Sequence, residues 1–200
     1  MERRAPERFR LGQLPRRFLL LWFVIVLRAV SATAYASFLA VLVTERGGSA
    51  FAGGAAISTF LLAGAVGSFF AGNLSDRWGR RKVLFVSMFV AAPLYLVFLH
   101  GPTIWMLPII GLAGLLDLSG TPVGVVAAQE CLPGRTGLVS GLVMGLAWGM
   151  GGLALTPIGW LADQLGLIPV MSAVAFLPLI GSLLILFYRE PPPGGLSKTV

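Results

Sequence analysis

A short, strongly charged segment at residues 72–84, GNLSDRWGRRKVL, separates two long apolar runs and constrains the fold more than any other part of the chain. The run before it covers residues 54–71 and the run after it covers residues 83–99. At about 1.5 Å per residue, a helix of either length crosses most of the roughly 30 Å hydrocarbon core of a bilayer. Both runs are therefore predicted to be transmembrane helices, with the charged segment at a membrane surface.

The composition agrees with a protein that is surrounded by lipid over most of its length. Hydrophobic residues make up 56% of the chain and charged residues only 12%, which lies outside the usual composition of soluble domains. The net charge of +7 could indicate nucleic acid, but most basic residues flank apolar runs, where they orient a membrane protein. We expect a lipid bilayer as partner and no nucleic acid.

Six apolar runs predict an all-α, polytopic membrane protein. The predicted transmembrane helices cover residues 18–43, 53–72, 83–100, 103–128, 137–162 and 168–188. A basic leader at residues 1–17 precedes them, and a tail at residues 189–200 follows them. Lysine and arginine in short loops stay on the cytoplasmic side, and the leader, the charged segment and the tail all carry such residues. We therefore expect both termini in the cytoplasm.

The first apolar run could instead be a cleaved signal peptide. Arg16 and Arg17 precede it, and residues 34–36, AYA, resemble a cleavage site. We prefer a transmembrane helix, because the apolar character continues to Val43 and because Arg28 interrupts what would be the apolar core of the signal.

Two charged residues fall inside predicted helices at similar depths, Arg28 in the first helix and Asp117 in the fourth. An isolated charge at mid-bilayer costs at least about 2.5–3.5 kcal/mol, so the two are predicted to form an ion pair. Ser31 and Tyr35 share a helix face with Arg28, and Thr121 shares one with Asp117. These side chains predict a polar site that either handles substrate or protons or only holds the helices together.

Glycine recurs at every fourth position of the fifth predicted helix, from residue 137 to residue 149. This spacing lets another helix approach closely, which is a main source of packing energy in lipid. The second predicted helix also contains closely spaced small residues, Gly64, Gly67 and Ser68. We interpret the glycine run of the fifth helix as an interface with a moving or partner helix.

An internal repeat joins the two halves of the chain. Residues 159–166, GWLADQLG, repeat the G-x-L-x-D-x-x-G frame of residues 72–79 but lack its basic residues. In the predicted topology, one copy lies at each face of the membrane. Two three-helix units of opposite orientation, a 3+3 inverted repeat, are the construction of many secondary transporters.

The charged segment resembles the signature loop of the major facilitator superfamily of secondary transporters. The matching positions are Gly72, Leu74, Asp76, Arg77, Gly79, Arg80, Arg81 and Lys82. Further stretches resemble the C-terminal six-helix half of fosmidomycin-resistance-type efflux proteins in that superfamily, at residues 25–28, 128–130, 132–135, 140–141, 151–152 and 159–163. The resemblance implies half of a major facilitator fold in a bacterial inner membrane.

The resemblance also implies a role for the charged segment in gating. In the family, the acid of the signature loop binds near the start of a helix in the opposite half and locks the inner side closed, so Asp76 would carry that role. Gly72 and Gly79 would permit the close approach. The loop would be fixed by Arg77, Arg80 and Arg81.

The first and fourth helices of each half line the central cavity in this family, which favours a transport role for the buried charges. Arg28 would attract an anionic group, and Asp117 would be a candidate for coupling transport to protons. The implied function is proton-coupled efflux of a small drug-like or anionic molecule by alternating access.

The family has twelve helices, whereas this sequence predicts six, and three arrangements follow. In the first, the chain is the second half of a transporter whose first half is encoded separately or lost. In the second, it works as a homodimer. In the third, it is an inactive or structural membrane subunit. The basic leader resembles the central loop between halves, which favours the first. In a homodimer, Asp76 should approach residues 136–140 of the other copy.

We expect neither an enzyme nor a cofactor. An intramembrane serine protease needs a histidine at the depth of its serine, and the single histidine, His100, is predicted at a helix end. The sequence contains no phosphate-binding glycine loop, metal-ligand cluster or haem motif, which argues against ATP-driven transport by this chain alone. Cys131 is the single cysteine, so an intrachain disulfide is excluded.

Overall fold

The computed structural model describes residues 14–188, which form helices and no strands. Six helices are long and apolar enough to cross a membrane, which confirms the predicted all-α, multi-pass fold. They are α1 (Arg16–Glu45), α2 (Ala50–Trp78), α3 (Arg80–His100), α4 (Met106–Cys131), α5 (Thr136–Leu165) and α6 (Leu167–Ile185). The predicted tail and most of the predicted leader lie outside the described residues.

Helices α2 and α3 continue through the charged segment and are longer than predicted. α2 ends at Trp78 and α3 begins at Arg80, so Gly79 alone separates them. Apolarity marks only the part of a helix that lies in lipid, whereas helical hydrogen bonding continues into the polar surface layer, as in the bond from the Gly79 N–H to the Ser75 carbonyl (3.0 Å). α2 therefore extends beyond its predicted end at residue 72, and α3 begins before its predicted start at residue 83.

A second single-glycine hinge, Gly166, separates α5 from α6. Its φ and ψ are 90° and 150°, close to the 91° and 141° of Gly79. This backbone region is open essentially to glycine alone, because a Cβ would be strained there. Gly79 and Gly166 end the two copies of the repeated frame, so the structure supports the internal repeat.

Glycines in α2 and α4 allow these two helices to cross closely. A Cβ at Gly67 would overlap the Leu115 carbonyl oxygen, and a Cβ at Gly114 would overlap the Phe60 carbonyl oxygen. The backbones thus approach to a distance that no larger residue allows, as is usual for small residues in membrane helices.

The glycine run of α5 faces away from the bundle. A Cβ at any of its four positions would meet no other atom within 4 Å, at Gly137, Gly141, Gly145 and Gly149. Part of the run lies in a π-helical segment, Gly141–Ala147, whose Leu142 carbonyl accepts a hydrogen bond from Trp22 Nε1 (2.9 Å). This face of α5 therefore stays open within the described chain, and the predicted interface with a moving or partner helix stays a prediction.

Helix α1 forms the centre of the bundle. The most apolar window of α1 is 61% buried, whereas the corresponding windows of α2 and α5 are 28% and 22% buried. The sixth helix is interrupted after Val174, because Pro178 has no N–H to bond the Val174 carbonyl and its ring crowds that oxygen. This arrangement encloses the polar residues of α1 and leaves α2 and α5 at the surface.

Candidate functional site

The predicted pair of buried charges is present at the centre of the bundle. Arg28 Nε lies 3.3 Å from Asp117 Oδ1, and the two side chains are 3% and 0% exposed. Both residues lie near the middle of their helices, and each supplies the opposite charge that the other needs in an apolar interior.

Helix α3 completes the network with two residues that the sequence did not single out. Tyr95 donates its hydroxyl proton to Asp117 Oδ2 at 2.7 Å. Arg28 Nη2 donates to Ser87 Oγ at 2.8 Å and to the Leu116 carbonyl at 3.3 Å. Breaking a buried pair is costly unless hydrogen bonds satisfy the remaining atoms, and α3 supplies most of these bonds. Uncharged polar residues are common in apolar runs, so no signal in the sequence marked these two.

Gly120 provides the space for the guanidinium group. A Cβ at this position would overlap Arg28 Nη1 and Cζ. The Nη1 atom itself is buried without a hydrogen-bond partner among the described residues. Arg28 therefore lies directly against the backbone of α4, and a glycine is required there for a steric reason.

The two predicted neighbours of Arg28 on α1 serve different purposes. Tyr35 stacks on Tyr95, with ring centroids 3.7 Å apart and an interplanar angle of 12°, and donates its hydroxyl proton to the Met171 carbonyl of α6 (3.0 Å). Ser31 donates to the carbonyl of Arg28 within the same helix (2.9 Å). Tyr35 thus extends the network to α6, whereas the Ser31 hydroxyl stays within α1.

Thr121 lies in a separate environment from Asp117. It lines an open groove of about 980 Å³ between α2, α4 and α5, and Asp117 is not among the lining residues. The Thr121 hydroxyl oxygen is buried without a hydrogen-bond partner in the described part of the chain. The groove also contains polar groups of Ser68 and Gln129. The predicted polar stripe of α4 is thus divided between a closed network and an open groove.

In the charged segment, Arg80 is the residue that connects α3 to α4. Its Nε and Nη2 bind the two carboxylate oxygens of Glu130 at 2.8 and 2.7 Å. Asp76 makes a longer contact with Arg80, 3.6 Å from oxygen to nitrogen, and its side chain is 67% exposed. The bidentate pair fixes the start of α3 against the end of α4, and the Asp76 carboxylate remains accessible.

The other predicted gating residues lie around this pair. Arg81 Nε donates to the Ile185 carbonyl (3.2 Å) and Nη2 to the Leu186 carbonyl, which joins α3 to the end of α6. Arg77 and Gly72 are exposed. A pocket of about 220 Å³ beside Asp76 is bordered by Gly72, Ser75 and Arg80 of this segment and by α4.

The single histidine contacts a serine. His100 Nε2 lies 3.0 Å from Ser172 Oγ, at an exposed end of the bundle. Ser172 donates its hydroxyl proton to the Ile168 carbonyl at 2.8 Å. The Ser172 hydroxyl therefore has two polar neighbours, the Ile168 carbonyl and the imidazole of His100.

Comparison with known proteins identifies the family. The model of the Major Facilitator Superfamily matches residues 21–200. The chain belongs to the major facilitator superfamily. Membership agrees with six membrane-spanning helices and with the repeated glycine hinge, and it points to transport rather than catalysis.

Two curated members of the superfamily are similar to this chain. The "Uncharacterized MFS-type transporter YfnC" of Bacillus subtilis (strain 168) is 44% identical over 127 residues, which cover 64% of this chain. The "Fosmidomycin resistance protein" of Escherichia coli (strain K12) is 39% identical over 126 residues, or 63% of this chain. In both cases the aligned region spans 31% of the relative's length.

Proposed function

We propose that this chain takes part in secondary active transport, exporting a small drug-like or anionic molecule in exchange for protons. The match to the superfamily model over residues 21–200 carries the proposal. The similarity to a fosmidomycin resistance protein favours export of a drug-like molecule. The basic residues of the charged segment favour a bacterial inner membrane with both termini in the cytoplasm.

We infer that the six helices work together with a second six-helix unit, either a second copy or a separate N-terminal half. The open faces of α2 and α5 support this inference, because they are the least buried of the six helices. Thr121 lines the groove between them, and its buried hydroxyl oxygen has no hydrogen-bond partner among the described residues. Hydrocarbon offers such a group no hydrogen bond, whereas a second unit would convert the groove into one wall of a polar cavity.

In this proposal, Asp117 carries the coupling proton, and Arg28 and Tyr95 stabilise its charged form. The carboxylate accepts bonds from both residues, so loss of its charge would weaken the contact between α1 and α4. Alternating access by rocking of one unit against the other would open this closed network to water. Ser31 and Tyr35 would move with α1, and Thr121 would contact substrate in the groove.

The charged segment would act as the gate in this mechanism. Arg80 is held by two bonds to Glu130, so it supports the segment, while the exposed Asp76 carboxylate is available to a helix start in the opposite unit. Gly72 lies beside Asp76 without atoms near its missing Cβ, which leaves space for that helix. Arg77 would hold the segment at the membrane surface through its charge.

The test is flux in liposomes that contain the full chain, with or without a separately expressed N-terminal half, under an imposed pH gradient. Fosmidomycin serves as the probe. We expect efflux that depends on the gradient and that Asp117→Asn abolishes. Asp163→Asn is the matched control, since Asp163 is an exposed acid in α5, and it should leave flux unchanged. Equal flux in wild type and Asp117→Asn would disprove the coupling role.

A further inference from the structure

Three aromatic rings lie together beside Asp117. Tyr95 of α3 donates its hydroxyl proton to the carboxylate, and the ring of Tyr35 stacks on the Tyr95 ring. Phe60 of α2 lies on the same Tyr95 ring, with centroids 6.5 Å apart and an interplanar angle of 41°. All three side chains are fully buried. Rings from α1, α2 and α3 thus form one apolar layer next to the charge pair.

The contacts of α3 show on which side of the charge pair this layer lies. Ser87 contacts the pair through Arg28, and Tyr95 contacts it through Asp117 Oδ2. These two residues of α3 are separated by about 12 Å along the helix axis, and Tyr95 is the one closer to His100, the exposed last residue of α3. From Tyr95 to His100 the helix rises only about 7.5 Å. The aromatic layer therefore lies between the carboxylate and a nearby exposed end of the bundle.

Tyr35 is bound to a short segment of α6, Leu167–Val174. Its hydroxyl donates to the Met171 carbonyl (3.0 Å), which also accepts the N–H of Ala175. The segment begins directly after the Gly166 hinge and ends where α6 is interrupted. Breaks of helical structure at element ends are positions where a chain can hinge, so this segment can shift without moving the rest of α6.

We propose that the stacked rings of Tyr35 and Tyr95 are a barrier that keeps water from Asp117 on this side of the bundle, and that the segment Leu167–Val174 latches the barrier through the Met171 carbonyl. While this carbonyl holds the Tyr35 hydroxyl, the ring stays flat on Tyr95. A shift of the segment releases the Tyr35 ring and opens a path for water to the Asp117 carboxylate.

Tyrosine suits both tasks of such a barrier, because it combines an apolar ring with one polar group. The Tyr95 ring excludes water while its hydroxyl satisfies one carboxylate oxygen of Asp117. The Tyr35 ring covers Tyr95 while its hydroxyl reports the position of α6. The use of the barrier in transport rests on the proposed function, in which Asp117 exchanges a proton with water, but the barrier itself does not.

The test is chemical labelling of Asp117 in the full chain in detergent. A water-soluble carbodiimide with taurine converts carboxyl groups that the reagents reach into amides, and peptide mass spectrometry locates them. Asp163, an exposed acid, is the internal reference. We expect Asp117 of the wild type to react far more slowly than Asp163. Tyr35→Ala should raise the labelling of Asp117 about tenfold, the change in an opening equilibrium that the loss of one stacked aromatic pair produces.

Three further variants separate the barrier from a general loosening of the bundle. Phe18→Ala is the matched control, because Phe18 is an equally buried aromatic residue in the other apolar cluster, near the start of α1, and it should leave Asp117 labelling unchanged. Tyr35→Leu removes the stacked ring but leaves a smaller cavity than alanine, and it should also raise labelling. Tyr35→Phe keeps the ring and loses only the bond to Met171, so it should raise labelling less than Tyr35→Ala.

Each outcome of the labelling decides one part of the proposal. Equal labelling of Asp117 in Phe18→Ala and Tyr35→Ala would overturn the barrier, as would the wild-type rate in Tyr35→Ala and Tyr35→Leu. The wild-type rate in Tyr35→Phe would overturn the latch. Labelling needs no substrate, pH gradient or second six-helix unit, so a failure of the flux experiment leaves this result unaffected, and a failure here leaves the flux experiment unaffected.

Discussion

At the scale of single residues, the centre of this protein is a charge pair whose partners come from several helices. Arg28 and Asp117 are held by Ser87 and Tyr95 of α3. Tyr35 adds a stacking contact and a bond to α6. Charges removed from water are tolerated only when almost every donor and acceptor is used, so each of these partners stabilises the pair.

Gly120→Ala tests how tightly this network is packed. The added methyl group would overlap the Arg28 guanidinium, and any shift of that group lengthens its buried bonds to Asp117 and Ser87. We expect the free energy of unfolding to fall by about 1–3 kcal/mol. The measurement is reversible unfolding of the full chain in detergent. Gly149→Ala is the control, because a Cβ there meets no atom within 4 Å. Equal stability of the two variants would contradict the packing shown here.

At the scale of helices, two glycine hinges organise the chain in the same way at opposite ends of the bundle. Gly79 and Gly166 both have φ near 90°. Each is the single residue that connects two antiparallel helices. Each N–H continues the hydrogen bonding of the preceding helix. Only a residue without a Cβ combines that bond with this backbone conformation at low cost.

Alanine at either hinge should destabilise the fold by a similar amount. Both positions lie in a backbone region that costs a residue with a Cβ on the order of 1–3 kcal/mol. Gly79→Ala and Gly166→Ala are compared with Gly72→Ala and Gly159→Ala, which begin the same repeated frames. A Cβ at Gly72 meets nothing within 4 Å, and one at Gly159 makes an ordinary contact with Phe38 at 3.7 Å. The measurement is the midpoint temperature of thermal unfolding. An equal change of this temperature in all four variants would refute the special role of the hinges.

At the scale of the whole molecule, the six helices divide into a buried centre and two open faces. α1 contributes most to the interior, while α2 and α5 expose large parts of their apolar surface. A Cβ at any position of the glycine run of α5 would meet nothing within 4 Å, although such spacing in lipid favours close helix packing. These faces are where we propose that a second six-helix unit docks.

Gly145→Leu tests this docking face in the homodimer form of the proposal. The leucine has space within one copy, because a Cβ at Gly145 meets nothing within 4 Å, but it would separate two closely packed helices. We expect native mass measurements in nanodiscs to show two copies for the wild type and fewer dimers for the variant. Val97→Trp is a bulky control at an exposed position of α3. A monomeric wild type would exclude the homodimer and leave two arrangements, a partnership with a separate N-terminal half or an inactive or structural membrane subunit.

The sequence by itself determined the features that depend on local composition. Unpaired backbone groups and charged side chains are unfavourable in lipid, and this free-energy cost arises at each residue separately. A hydropathy profile sums these single-residue costs, so it locates each membrane span. For the same reason, the pairing of Arg28 with Asp117 was predictable, since neither charge is tolerated alone in an apolar helix. The hinge at Gly79 and its repeat at Gly166 were also visible as a sequence frame, although the helices proved longer than their apolar runs.

Only the tertiary structure decided how the helices are rotated against one another. These helices are apolar on all sides, so their periodicity does not say which face is inside. Rotation and crossing brought Ser87, Tyr95 and Gly120 to the charge pair. The same packing directed Thr121 into a separate groove and left the α5 glycines open. Such contacts depend on the shapes of several helices at once, and no single stretch of sequence contains that information.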